Sequence, residues 1–129
     1  MRRDRSIPAW QWAGYPKFHR DRGNLLLHLV TVPLFVGGTL AVLASPLVGW
    51  SAFGAGLGAM ALSLAAQGRG HRREGHPPEP FLGPGDFVGR LFVEQFVTFP
   101  RFVLSGQYFR ALKEVPRPAL APDGSAQRP

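Results

Sequence analysis

From Gly23 to Gly68 the chain carries no Asp, Glu, Lys or Arg. A stretch that long without a charge is poorly suited to the surface of a water-soluble domain. It holds two apolar runs, each of the roughly 20 residues that a bilayer core demands. The first extends from Leu25 to Ala44 and the second from Leu47 to Ala66, with Ser45-Pro46 as the whole connection. Two runs joined so tightly must return antiparallel, so the sequence predicts an all-α membrane protein built on a two-helix transmembrane hairpin. Asn24 stands where an N-cap is expected, and Pro33, which lacks an amide donor, predicts a kink in the first run.

Basic residues bracket these runs. Arg2, Arg3, Arg5, Lys17, Arg20 and Arg22 precede Leu25, Arg69, Arg72 and Arg73 follow Ala66, and none lies in the connection. By the positive-inside rule both hairpin ends face the cytoplasm. The net charge of +7 would also suit nucleic acid, but that needs a basic stripe on a folded soluble module. Charge flanking apolar runs points instead to anionic headgroups, so a lipid bilayer is expected as a partner and nucleic acid is not. Trp10, Trp12, Tyr15 and Phe18, interleaved with Lys17, Arg20 and Arg22, read as an interfacial anchor. Val42-Leu43-Ala44 is spaced like a signal cleavage site, yet the apolar segment is too long for a signal core and a second follows at once, so both runs are read as retained. The absence of cysteine excludes disulfides and thiolate chemistry.

The 129 residues make one domain. A helical membrane domain is expected over 1–114 and a disordered tail over 115–129. His76 to Pro84 is a proline-rich connector. Asp86 is positioned to cap a third helix over 86–99, with Phe87, Val88, Leu91, Phe92, Phe96 and Phe99 at helical spacing and Arg90 paired with Glu94 on its polar side. Pro100 opens a further helix to Lys113. These two carry many charges and are expected at the interface or partly embedded against the hairpin. Gly54 and Gly58 form G-x-x-x-G on the second run, and Gly37-Gly38 lie on the first, small residues that pack the hairpin on itself or, in the alternative, form a homodimer face.

All four histidines fall at one end of the hairpin. The antiparallel return brings His19, His28, His71 and Glu74 into one neighbourhood although they lie far apart in the chain. A histidine inside a span is costly unless it meets a partner, which makes His28 a functional candidate. Several imidazoles near a carboxylate suit iron, zinc, copper or nickel. His71 and His76 are five apart and followed by prolines, so they cannot share a helical face as zinc-protease ligands do. No nucleophile-elbow serine, phosphate-binding loop or dinucleotide fingerprint occurs.

The pattern Tyr15-Pro16-x-x-His19, Asn24-x-x-x-His28, Pro33 and Gln67-x-x-Gly70-His71-x-x-Glu74-Gly75, with Pro77 beyond, resembles the Mpo-like family of small membrane proteins over about residues 12 to 108. That resemblance implies an iron(II)-dependent dioxygenase that shortens 2-hydroxy fatty acids by one carbon with molecular oxygen, in the bacterial inner membrane or the endoplasmic reticulum. It places His19, His28 and His71 as ligands of Fe(2+) and leaves His76 at a variable position. Glu74 would orient a ligand or act as a base, and Asn24 and Gln67 would hydrogen-bond substrate or imidazole. Arg72-Arg73 and Pro78-Glu79-Pro80 replace more apolar family residues. The residues alone also fit a basic membrane adaptor that binds anionic lipid without catalysis, or a zinc-dependent lipid hydrolase.

Overall fold

The computed structural model describes residues 5–114, so the expectations for Arg2, Arg3 and the tail 115–129 lie outside the described residues. The described chain is all-helical, with no strand. Helix α1 is Ile7–Phe18, α2 Arg22–Val48, α3 Trp50–His71 and α4 Pro84–Val93. A π-helical turn, Glu94–Thr98, follows α4 directly and continues into α5, Phe99–Leu104, before α6, Gln107–Lys113.

Helices α2 and α3 form an antiparallel hairpin. Gly38 packs on Gly56 at mid-height, and Asn24 meets Gly70 at the end where α2 begins. The turn is not at Ser45-Pro46: α2 continues through Pro46 to Val48, and the chain reverses at Gly49, whose φ of 117° only glycine adopts without strain. The N-cap of α2 is Asp21 rather than Asn24, with the Asp21 carboxylate accepting from the Asn24 amide at 2.8 Å. Asp86 likewise lies in the first turn of α4, which Gly83 caps, and accepts from the Leu82 amide at 3.0 Å.

Close packing in the hairpin uses different glycines from the G-x-x-x-G pair. Gly54 and Gly58 are exposed with open space above them, while Gly56 is buried against α2. Among the described residues α2 alone is long and apolar enough to cross a membrane. Glycine, serine and alanine dilute α3 below that threshold, so on length and composition the expected pair of spans narrows to one.

The expected break at Pro100 does not occur. A π turn just before it widens the helix and moves away the carbonyl that the ring would meet, so helix runs without interruption from Pro84 to Leu104. The same turn brings Arg90 and Gln95, five apart, onto one buried face. Among the described residues, many polar side chains lie inside and many large apolar ones outside. Gln11, Asn24, His28, Thr31, Gln67, Gln95 and Thr98 are buried, while Val30, Leu43, Leu47, Trp50, Phe87, Val88 and Leu104 are exposed. Gln67 and Gln95 exchange reciprocal amide hydrogen bonds of 2.7 and 2.9 Å, Gln67 also donates to Thr31, and Thr98 donates to Gln11. Satisfied in this way, the amides of Gln11, Gln67 and Gln95 tie α3 and α1 to the π turn. An apolar cluster of Tyr15, Leu25, Val32, Phe99, Phe102 and Tyr108 completes the interior beside them.

Candidate metal centre

Four elements each deliver one donor to a single point. His19 lies just beyond the end of α1, His28 in the second turn of α2, His71 at the last residue of α3, and Glu94 at the first residue of the π turn. Their ligand atoms all lie within 4.8 Å of one another, close enough to hold one metal ion. The imidazole rings stand nearly perpendicular in pairs, with centroids 4.9 to 5.1 Å apart.

Local hydrogen bonding sets which nitrogens face inward. His19 Nδ1 lies 3.0 Å from the Tyr15 carbonyl and His28 Nδ1 lies 3.0 Å from the Asn24 carbonyl, each four residues back. A carbonyl oxygen only accepts, so each Nδ1 carries the proton and each Nε2 presents its lone pair to the cluster. Both Nε2 atoms are buried without a hydrogen-bond partner. Glu94 Oε1 lies 3.4 Å from His19 Nε2 and 3.5 Å from His28 Nε2, too long for a good hydrogen bond and short enough for a shared cation. Buried polar atoms are seldom left unpaired, and a metal ion satisfies all of these at once. Carbonyl-anchored imidazoles and one carboxylate are a fitting donor set for a first-row divalent metal.

Charge at the centre follows from burial and neighbours. Burial, then the adjacent His19, with His28 adding to them and Glu94 partly opposing, push His71 down to about 4, so its imidazole is neutral near pH 7. Burial alone would raise Glu94, but the His19 and His28 rings set against its Oε1 outweigh burial and hold the carboxyl well below its usual range. For both groups the unfolded chain binds more protons than the folded one as pH falls. The apoprotein is therefore expected to keep full stability above about pH 6.5 and to lose it progressively toward pH 4, as His71 resists a proton that the unfolded chain accepts. Glu94 adds a further loss at and below the usual carboxylate range. Thermal unfolding of metal-free protein across that window measures the effect, and a flat profile would contradict this assignment of charge.

The three histidines expected as ligands thus come together, and His76 does not join them: it is exposed on the connector. The expected carboxylate, Glu74, is committed elsewhere. It accepts from the amides of Arg20 and Asp21 at 3.0 Å and from Asn24 Nδ2 at 2.7 Å, which fastens the α1–α2 turn to the end of α3. An Arg73–Asp21 ion pair at 3.0 Å closes the same junction. Asn24 serves the site through its backbone, whose carbonyl orients His28, and Gln67 serves the amide network rather than the imidazoles. The carboxylate at the centre is Glu94, which helical spacing pairs with Arg90 on the polar side of the third helix. Arg90 instead donates to the Glu79 and Pro80 carbonyls and lies between the rings of Trp10 and Phe81. The sequence signal for Glu94 is a carboxylate in mid-helix, flanked by Phe92 and Phe96.

No protein family, curated protein or solved structure matches the chain.

Proposed function

We propose that this chain is a membrane-embedded, iron(II)-dependent dioxygenase that shortens 2-hydroxy fatty acids by one carbon. The observation that carries the reading is a centre of three histidines and one carboxylate, with two orphaned imidazole nitrogens, at one end of a hairpin whose outer surface is apolar. A soluble protein's core helix is mostly buried, whereas only 33 % of the apolar window of α2 is. Leu47 is 91 % exposed and Leu43 71 % exposed. Hydrocarbon is the solvent that suits such a surface, and α3, packed along α2, would enter the bilayer with it, both ends cytoplasmic.

His19, His28, His71 and Glu94 would hold the iron, which when bound supplies the means of activating molecular oxygen. The chain's own residues do the rest. His71 and Glu94 are the two donors that retain exposure, so a substrate head approaches from their side. Arg69 and Arg72, exposed and within two residues of His71, favour a carboxylate there. The acyl chain stays in lipid along the apolar outer face. One 2-hydroxy acid and one oxygen molecule give the acid shortened by one carbon, one carbon dioxide and one water, which balances atoms and electrons.

The test is metal analysis of protein purified in detergent, followed by oxygen uptake with a 2-hydroxy fatty acid and with the unhydroxylated acid. Uptake specific to the hydroxy acid, with the shortened acid as product, is expected of the iron-loaded protein. Loaded protein that consumes no oxygen defeats the oxygenase reading. Ester cleavage by zinc-loaded protein without oxygen would establish a hydrolase at this centre, and a chain that binds no metal but binds anionic vesicles would be an adaptor.

A further inference from the structure

Tyr15 makes three separate contacts with the donors of the metal centre. Its ring stacks on His19, with centroids 3.7 Å apart and planes at 15°. Its carbonyl accepts the His19 Nδ1 proton at 3.0 Å. Its hydroxyl donates to Glu94 Oε1 at 3.2 Å, the same oxygen that faces both orphaned Nε2 atoms. The side chain is buried, and the fully buried Phe102 meets its ring edge-on at 5.1 Å, so the phenol has little freedom to turn away.

We propose that Tyr15 is a positioning residue that sets the orientation of the Glu94 carboxylate toward the metal. A glutamate side chain has three rotatable bonds, and one lying between two imidazoles has several ways to present its oxygens. A phenol O–H directed at Oε1 takes one lone pair of that oxygen and fixes the plane of the group, leaving its other lone pairs for a cation. Outer partners of this kind typically hold metal affinity by a factor of about 10 to 100. The same phenol ring, by stacking, keeps His19 at the angle from which its Nε2 meets that oxygen. One residue of α1 thereby coordinates a donor on its own segment with a donor on the π turn, far away in the chain. This inference rests on the metal centre and is independent of which substrate is oxidised.

Tyr15→Phe keeps the stack and the carbonyl and removes only the hydroxyl. Zinc and cobalt(II) titrations of purified protein are expected to show affinity reduced about 10-fold or more at unchanged stoichiometry, with shifted absorption bands in the cobalt(II) form. In a Glu94→Ala background the same change should have no further effect, because its target is gone. Tyr108→Phe is the control: that hydroxyl is also buried and donates to the Leu25 carbonyl at 3.1 Å, away from the centre, so its loss should lower thermal stability and leave metal affinity alone. Wild-type affinity and an unchanged cobalt spectrum in Tyr15→Phe would overturn the proposal. So would a Tyr15→Phe apoprotein that fails to fold, since a hydroxyl that only orients Glu94 is not needed for folding. If the wild-type chain itself binds neither metal, the centre fails as a whole, an outcome distinct from failure of Tyr15 alone.

Discussion

Glu94→Ala is expected to weaken metal binding by more than about 100-fold, beyond the range that loss of an outer partner explains, whereas Glu74→Ala is expected to act first on stability. The two carboxylates differ in what they face. Glu94 Oε1 lies against His19 Nε2 and His28 Nε2, neither of which has another partner, so its removal takes away the only negative charge among the clustered donors. Glu74 has its oxygens filled by two backbone amides and the Asn24 side chain. Removing it strands those donors at the α1–α2 junction, at about 1–3 kcal/mol of folding free energy. Calorimetric titration with zinc beside thermal unfolding of the apoprotein separates the two cases. Near-normal affinity in Glu94→Ala, or a loss in Glu74→Ala that exceeds it, would return the carboxylate role to Glu74.

Which parts of this arrangement were legible beforehand follows from how each was encoded. The convergence of His19, His28 and His71 could be read because it depends only on topology: an uncharged stretch that must fold back on itself returns its two ends to one place. The helical class followed from the same stretch. Two assumptions conceal Glu94 in the sequence. One was a uniform period of 3.6 residues, which the π turn at Glu94–Thr98 breaks, placing Arg90 and Gln95 on one face at a spacing of five. The other was that the apolar face of a helix points inward. Phe87, Val88 and Phe96 define such a face, yet they point outward, and the polar side that carries Glu94, Gln95 and Thr98 forms the interior. The turn lies at Gly49 rather than Ser45-Pro46 for a related reason: proline is expected to stop a helix, but α2 continues through both Pro33 and Pro46 before the glycine reverses it.

Gly56→Ala is expected to destabilise the hairpin by about 1–3 kcal/mol, and Gly54→Ala, only two residues away, to stabilise it by up to about 1 kcal/mol. A Cβ at Gly56 would sit 2.5 Å from the Gly38 carbonyl oxygen and 3.0 Å from the Val42 amide nitrogen. Both are backbone atoms of α2, which cannot yield as a side-chain tip can, so the helices must part. Parting them loosens the Asn24–Gly70 contact at the other end, where His28 and His71 are carried, and metal affinity should fall along with stability. Gly54 meets nothing within 4 Å, so an added methyl there costs no contact and reduces the backbone freedom of an exposed helical glycine. Thermal unfolding of both variants in detergent measures the contrast. Equal effects would mean that the close approach at Gly38 and Gly56 is not what holds the hairpin. A Gly54→Ala chain that loses stability would mean that another surface covers the outward face of Gly54 and Gly58, which is the homodimer arrangement that their spacing first suggested.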